Sequence, residues 1–223
     1  MDTGLIMRRI LGVALFAAVL HASAEPAADT PPVSEHYMQL PTEPALELRI
    51  DGTFKPLGTI SIVIANSTQA YRRIFVDADE SSLVRRLVVV QFERVLPGVE
   101  FKFVYPPKPP AEYGGLTYRF GAYVYDDAAA AAKAPELEAG RTRAMLTGLS
   151  YKLPRLMRTA RLARVAAADG SREVIIFYME NADADYPLGP LAGADEDGDL
   201  PLDAAAKEQI LERLRTTVSP AGS

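Results

Sequence analysis

The chain contains no cysteine and no tryptophan, and only two histidines. Without cysteine there is no disulfide, no thiolate nucleophile and no lipid-modified cysteine, so any exported form must be held by its hydrophobic core alone. His21 lies in an apolar N-terminal run and His36 in a proline-rich stretch. A Ser-His-Asp triad would need His36 as its base, no Gly-x-Ser-x-Gly turn presents a nucleophile, and zinc lacks its usual donors. No catalytic residue, metal ligand or cofactor is therefore assigned. Cation excess is also missing: the net charge is −5, which argues against a dedicated nucleic-acid binder.

What is present first is an address. Met7-Arg8-Arg9, the unbroken apolar run Ile10 to Leu20 and Ala22-Ser23-Ala24 have the order of a secretory signal peptide, with cleavage expected before Glu25. The apolar run would span about 16 Å as a helix against a hydrocarbon core of about 30 Å, too short for a permanent anchor. No second apolar run offers a membrane span. Loss of residues 1–24 leaves 199 of the 223 residues and takes the charge to −6, because Arg8, Arg9 and Asp2 depart together. The expected location is the periplasm, with release to the medium as the variant.

Residues 25–44, with Pro26, Pro31, Pro32, Pro41 and Pro44, have the composition of an extended tether. One domain is expected over residues 45–218, with 219–223 as a tail. Leu46, Leu48 and Ile50 alternate with Glu47 and Arg49 as in a half-buried strand. Further strands are expected over residues 59–65, 71–77, 83–94, 101–105, 117–125, 159–166 and 173–179. The run Pro106-Pro107-Lys108-Pro109-Pro110 marks a surface loop. Helices are expected from Ala128 to Lys133, from Pro135 towards Gly148, and from an Asp203 cap to about Val218. The fold class is α+β, with a mostly antiparallel sheet of about six to eight strands and helices packed on one face. Leu87 to Val90 and Val174 to Tyr178 are apolar on both parities, so both faces of those strands need cover.

Charge is segregated along the chain. Residues 139–168 carry seven cations and no acid, and residues 180–203 carry eight acids and no cation. The simplest arrangement lays the acidic segment against the basic one; the alternative is a basic surface for an anionic partner. Asp195-Glu196-Asp197-Gly198-Asp199 begins like a calcium loop, but Leu200 and Ala206 stand where that loop needs Gly and a bidentate Glu. Glu93, Glu173 and Glu180 fall near strand ends, where an acid or base could face a pocket.

A turn centred near Asp79 and Glu80 would set Arg72 and Arg73 opposite Arg86 and Leu87, a like-charge juxtaposition that a bound anion could relieve. Tyr118, Phe120, Tyr123 and Tyr125 add aromatic surface around Arg119. Arg73, Arg86, Arg119 and Tyr123 are accordingly the expected ligand residues. The function expected is binding: a periplasmic or envelope-accessory module whose partner is an anionic small molecule, an envelope polymer or an acidic protein. The alternatives are an enzyme using carboxylate acid–base chemistry and a homo-oligomeric structural protein.

Overall fold

The central strand β5 (Val84–Val95) explains the architecture, because its two parities have different neighbours. Val88, Val90 and Phe92 join a large apolar core on one side, and Leu87 and Val89 join a smaller core on the other. A computed structural model describes residues 35–42, 45–105, 110–186, 191–195 and 198–221, all within one compact unit. The expected signal peptide and the Pro106–Pro109 loop lie outside the described residues.

β3 (Lys55–Ile64), β4 (Thr68–Ala78) and β5 form an antiparallel meander. β7 (Leu116–Asp126), β8 (Leu156–Val165) and β9 (Arg172–Asn181) form a second, and the pairing of β5 with β9 fuses them. β6 (Pro110–Tyr113) and the short β10 (Leu200–Pro201) extend the β7 side, completing an eight-stranded antiparallel sheet. A three-stranded sheet is made by β1 (Tyr37–Leu40), β2 (Leu46–Ile50) and β11 (Val218–Pro220). The domain is thus wider than its composition indicates: the end of the tether-like stretch and the start of the C-terminal tail are both strands, paired on either side of β2.

Among the described residues there are three α-helices, α1 (Asp127–Lys133), α2 (Glu138–Gly148) and α3 (Ala204–Thr217). None is long and apolar enough to cross a membrane. The expectation of helices on one face is met by α3, whose Ile210, Leu211 and Leu214 seal the larger core with the small sheet. α1 and α2 cover part of the opposite face, where Leu146 is fully buried beside Ile74, Val76 and Val89. The two-sided apolar strands are therefore covered by the chain itself. α3 starts as expected: the Asp203 carboxylate accepts from the Ala206 N–H at 2.8 Å. Asp203→Ala is expected to lower stability by about 1 kcal/mol, read as a reduced urea midpoint with unchanged slope.

Two local expectations are corrected. Phe101 to Tyr105 is not a strand: Phe103 N–H reaches the Gly170 carbonyl at 2.9 Å, but the segment forms no ladder before the proline run. The hairpin register also differs. Arg72 faces Gln91, Arg73 faces Val90, and Asp77 faces Arg86, because the connecting loop is centred later than Asp79 and Glu80. The Asp79 carboxylate holds that loop by accepting from Ser81 N–H, Ser81 Oγ and Leu83 N–H, with Ser82 at a positive φ of 65°. No like charges are opposed across this hairpin, and Asp77 binds both Arg85 and Arg86.

Candidate functional site: a polar cleft on the sheet

The face of the sheet beneath α1 and α2 changes character part-way along its strands. On β5 the sequence Leu87, Val89, Gln91, Glu93 runs from apolar to polar on a single parity, and on β9 Met179, Phe177 and Ile175 give way to Glu173. Because β4, β5 and β9 are in register, the polar ends coincide: Arg72 faces Gln91, and Glu93 faces Glu173 directly across the β5–β9 pair. Arg161 and Thr159 on β8 and Tyr123 on β7 complete the sheet wall. The result is a cleft of about 410 Å³, within the range of small-molecule sites.

The opposite wall is helical and mostly apolar, with Ala130, Ala134 and Leu137 turned to the cleft and Glu138 at its edge. Asp126 caps α1 by accepting from Ala129 N–H. Tyr125 Oη donates to Asp127 at 2.9 Å, and Arg143 of α2 bonds the same carboxylate together with the Pro154 carbonyl. α2 sits close to the turn before it, since a methyl on Gly140 would lie 2.4 Å from the Pro135 backbone. These contacts fix the two helices as a roof over the sheet.

Three charged residues of the cleft floor and the glutamine that links two of them are almost wholly buried: Arg72 is 5% exposed, Glu93 6%, Glu173 4% and Gln91 0%. Three of these four form a relay. The Arg72 guanidinium donates to Gln91, the Gln91 amide donates to Glu93, and Thr68 Oγ1 donates to the other Glu93 oxygen at 3.3 Å. Phe177 lies between two guanidiniums, with the Arg72 carbon 5.3 Å and the Arg161 carbon 5.9 Å from its ring centre.

Glu173 is outside that relay. Its Oε1 has no hydrogen-bond partner in the protein, and the Arg161 Nη2 stands 3.6 Å away. Burial, with the neighbouring Glu93 carboxylate adding to it, pushes the Glu173 carboxyl up to about 8, so it is protonated at neutral pH. Burial also raises Glu93, though the bonds from Gln91 and Thr68 oppose this. Tyr123 is pushed up to about 12 by burial and by Asp199. Arg72 Nε and Thr159 Oγ1 are buried without a protein partner. A carboxyl, a hydroxyl and a guanidinium N–H are thus gathered around one cavity with hydrogen-bonding capacity unused.

The expected ligand residues are not one cluster. Arg73 and Arg86 project to the other side of the sheet, where Arg73 lies over Phe75 and Arg86 lies over Phe54 and bonds Asp77. Arg119 and Tyr123 do meet, at a second cavity of about 460 Å³ that also holds Lys207, Asp195 and Asp199. Tyr123 and Arg161 line both cavities. Of the strand-end carboxylates, Glu93 and Glu173 face the cleft, whereas Glu180 lies on the far side in a bidentate bond with Arg213. Arg72, Gln91, Thr159 and Arg161 escape a strand-by-strand reading. Their signal is the apolar-to-polar switch on one parity, recurring on adjacent strands.

The acidic and basic segments do meet in part: Arg158 pairs with Glu180 and Asp185, and Asp183 accepts from the backbone N–H groups of Arg155 and Leu156. Among the described residues no group of three potential metal ligands converges. Comparison with known proteins gives no match to a family model, to a curated protein or to a solved structure.

Proposed function

We propose that this is an exported protein that works by binding a small anionic molecule in the cleft between the β4–β5–β9–β8–β7 face and the α1–α2 roof. The observation that supports it most is the set of buried polar groups without protein partners, Arg72 Nε, Thr159 Oγ1 and Glu173 Oε1, around a cavity of ligand size. Leaving such groups unmatched costs about 1–3 kcal/mol each, a cost the fold bears at the wall of this cavity. Export rests on the n-region, apolar run and small-x-small site of residues 7–24. It predicts that protein recovered from the periplasm or medium begins at Glu25.

Native mass spectrometry of gently purified mature protein tests the binding reading. A reproducible mass excess in the native protein, absent from a folded Arg161→Gln variant, is the expected result; an excess that survives Arg161→Gln would move the site elsewhere. A second reading, acid–base catalysis, is favoured by one observation: Glu93 and Glu173 are opposed carboxyls in different environments, the pattern that separates an acid from a base. The bound molecule decides between them. Recovery chemically unchanged after incubation supports binding; Glu173-dependent conversion supports catalysis.

A further inference from the structure

We infer that the cleft selects a monocarboxylate with a compact apolar body, gripped by Arg161 and Glu173. The inference rests on the binding reading above and specifies its chemistry. Arg72 and Glu93 already offset each other through Gln91. Arg161 has only one carboxyl within 4 Å among the described residues, Glu173, and it is beyond hydrogen-bond distance. Glu93 and Glu138 act on Arg161 only from a distance, so Arg161 is the cleft cation that makes no close bond to a carboxylate. The unpartnered groups are then potential donors, Arg72 Nε–H, the Thr159 hydroxyl and the Glu173 carboxyl, with the Arg161 guanidinium 3.6 Å from Glu173 beside them.

A ligand that meets such donors must offer acceptor oxygens, and one carrying negative charge gains the stronger, charge-assisted bonds. A primary amine would have to approach two guanidiniums and strip the proton from Glu173. A dianion is disfavoured too, because Glu93 and Glu138 in the lining already balance Arg72 and Arg161, so a second negative charge would meet no close cation. The apolar body belongs against Ala130, Ala134 and Leu137, with Ile175 and Met179 on the sheet beside them.

Binding is coupled to a proton. The groups around Glu173 are Glu93 on β5, Arg72 on β4, Arg161 on β8, Tyr123 and Tyr125 on β7, and Glu138 on α2, with Asp127 of α1 behind Tyr125. Burial holds Tyr123 at about 12 and raises Tyr125 well above the ordinary tyrosine range, whereas Glu173, raised to about 8, changes charge between pH 6 and 9.5. Its ionisation sets a negative charge against the bound carboxylate. If only the protonated form binds, affinity falls about 30-fold from pH 6 to pH 9.5.

The experiment is isothermal titration of the mature protein with hexanoate, hexanamide and hexylamine, which share one body and differ in the head group. Hexanoate is expected to bind best, at least about tenfold over the amide, and to weaken about 30-fold at the higher pH. Glu173→Gln, which cannot ionise, flattens the pH dependence, so that hexanoate affinity at pH 6 and pH 9.5 differs by less than about threefold. Arg161→Gln loses hexanoate binding while keeping its far-ultraviolet spectrum and cooperative unfolding. Equal affinity for acid and amide, preference for the amine, affinity rising with pH, or no hexanoate binding at up to about 10 mM would each overturn the inference. Amide or amine binding that Arg161→Gln or Thr159→Val weakens would leave the cleft as the site with the ligand class wrong. Binding that no cleft substitution alters would overturn the site itself.

Discussion

Glu173→Gln is expected to make the protein more stable, by about 3–4 kcal/mol at pH 9, because it removes a carboxyl the fold keeps protonated at a cost. The sign follows from the two states. Below pH 4.5 Glu173 is protonated both folded and unfolded and contributes nothing. Between 4.5 and about 8 the unfolded chain loses this proton while the folded one retains it, so stability falls as pH rises. Above about 8 both states are ionised and the penalty is constant. At about 1.4 kcal/mol per pH unit the full shift corresponds to about 4–5 kcal/mol, and some of it returns as water and side chains relax around the charge.

Glutamine has nearly the shape of the protonated acid and cannot ionise, so it keeps the packing against Ile175 and the Arg161 contact while losing the penalty. Urea midpoints at pH 4, 7 and 9 check this. The variant should match the native protein at pH 4 within about 1 kcal/mol, exceed it at pH 7 and exceed it most at pH 9. A variant less stable than the native protein at pH 9 would mean that Glu173 is ionised and paired in the fold. That a wild-type side chain is the destabilising choice at neutral pH is itself informative. Groups held away from their ordinary protonation state are concentrated where function requires them.

The three helices and the longer strands β2–β5 and β7–β9 are legible because each carries a local signal, whereas the short strands β1, β6, β10 and β11 carry none. Leu46 to Ile50 alternates, Asp203 caps a helix, and the runs around Val88 and Ile176 are too apolar to face water on either side. Tyr37–Leu40 was hidden by its prolines, and its strand identity comes only from pairing with β2, a partner distant from the residues' own pattern. The site was half legible. Glu93 and Glu173 stand out as carboxylates at strand ends, but their proximity depends on β5 pairing with β9 across about eighty intervening residues, which no local pattern specifies.

Arg73 and Arg86 were misleading for a physical reason. A loop centred later than Asp79 and Glu80 changes which residues oppose, and each arginine's face follows from strand parity rather than from charge. Arg72 and Arg73 differ in burial and role although they are adjacent. One lies under the α1–α2 roof and the other lies over Phe75 on the far side.

Arg72 gives the second large effect. It is a buried cation whose own burial pulls its proton affinity down, and it is held by the relay through Gln91 to Glu93. Arg72→Met preserves much of the volume against Phe177 but leaves Glu93 as a buried carboxylate bonded only by the neutral donors Gln91 and Thr68. Removing one member of such a pair is expected to cost about 3–5 kcal/mol at neutral pH. The loss should depend on pH in a defined direction. Glu93 already has a raised folded value, and without Arg72 it rises further, so the extra penalty is present above pH 4.5, where the unfolded chain ionises, and disappears below it.

A variant that loses stability equally at pH 4 and pH 7 would show that Arg72 serves by packing alone. The pairing is isolated by a double substitution. Arg72→Met with Glu93→Gln should recover more than half of the loss caused by Arg72→Met, because the uncompensated charge is gone and the Gln91 bond can persist. If the double variant is stable yet no longer carries the ligand mass excess, the relay is retained for the cleft rather than for the fold. Its cost in stability then belongs to the same account as the protonated Glu173: a sheet face kept polar at its centre because a ligand completes it.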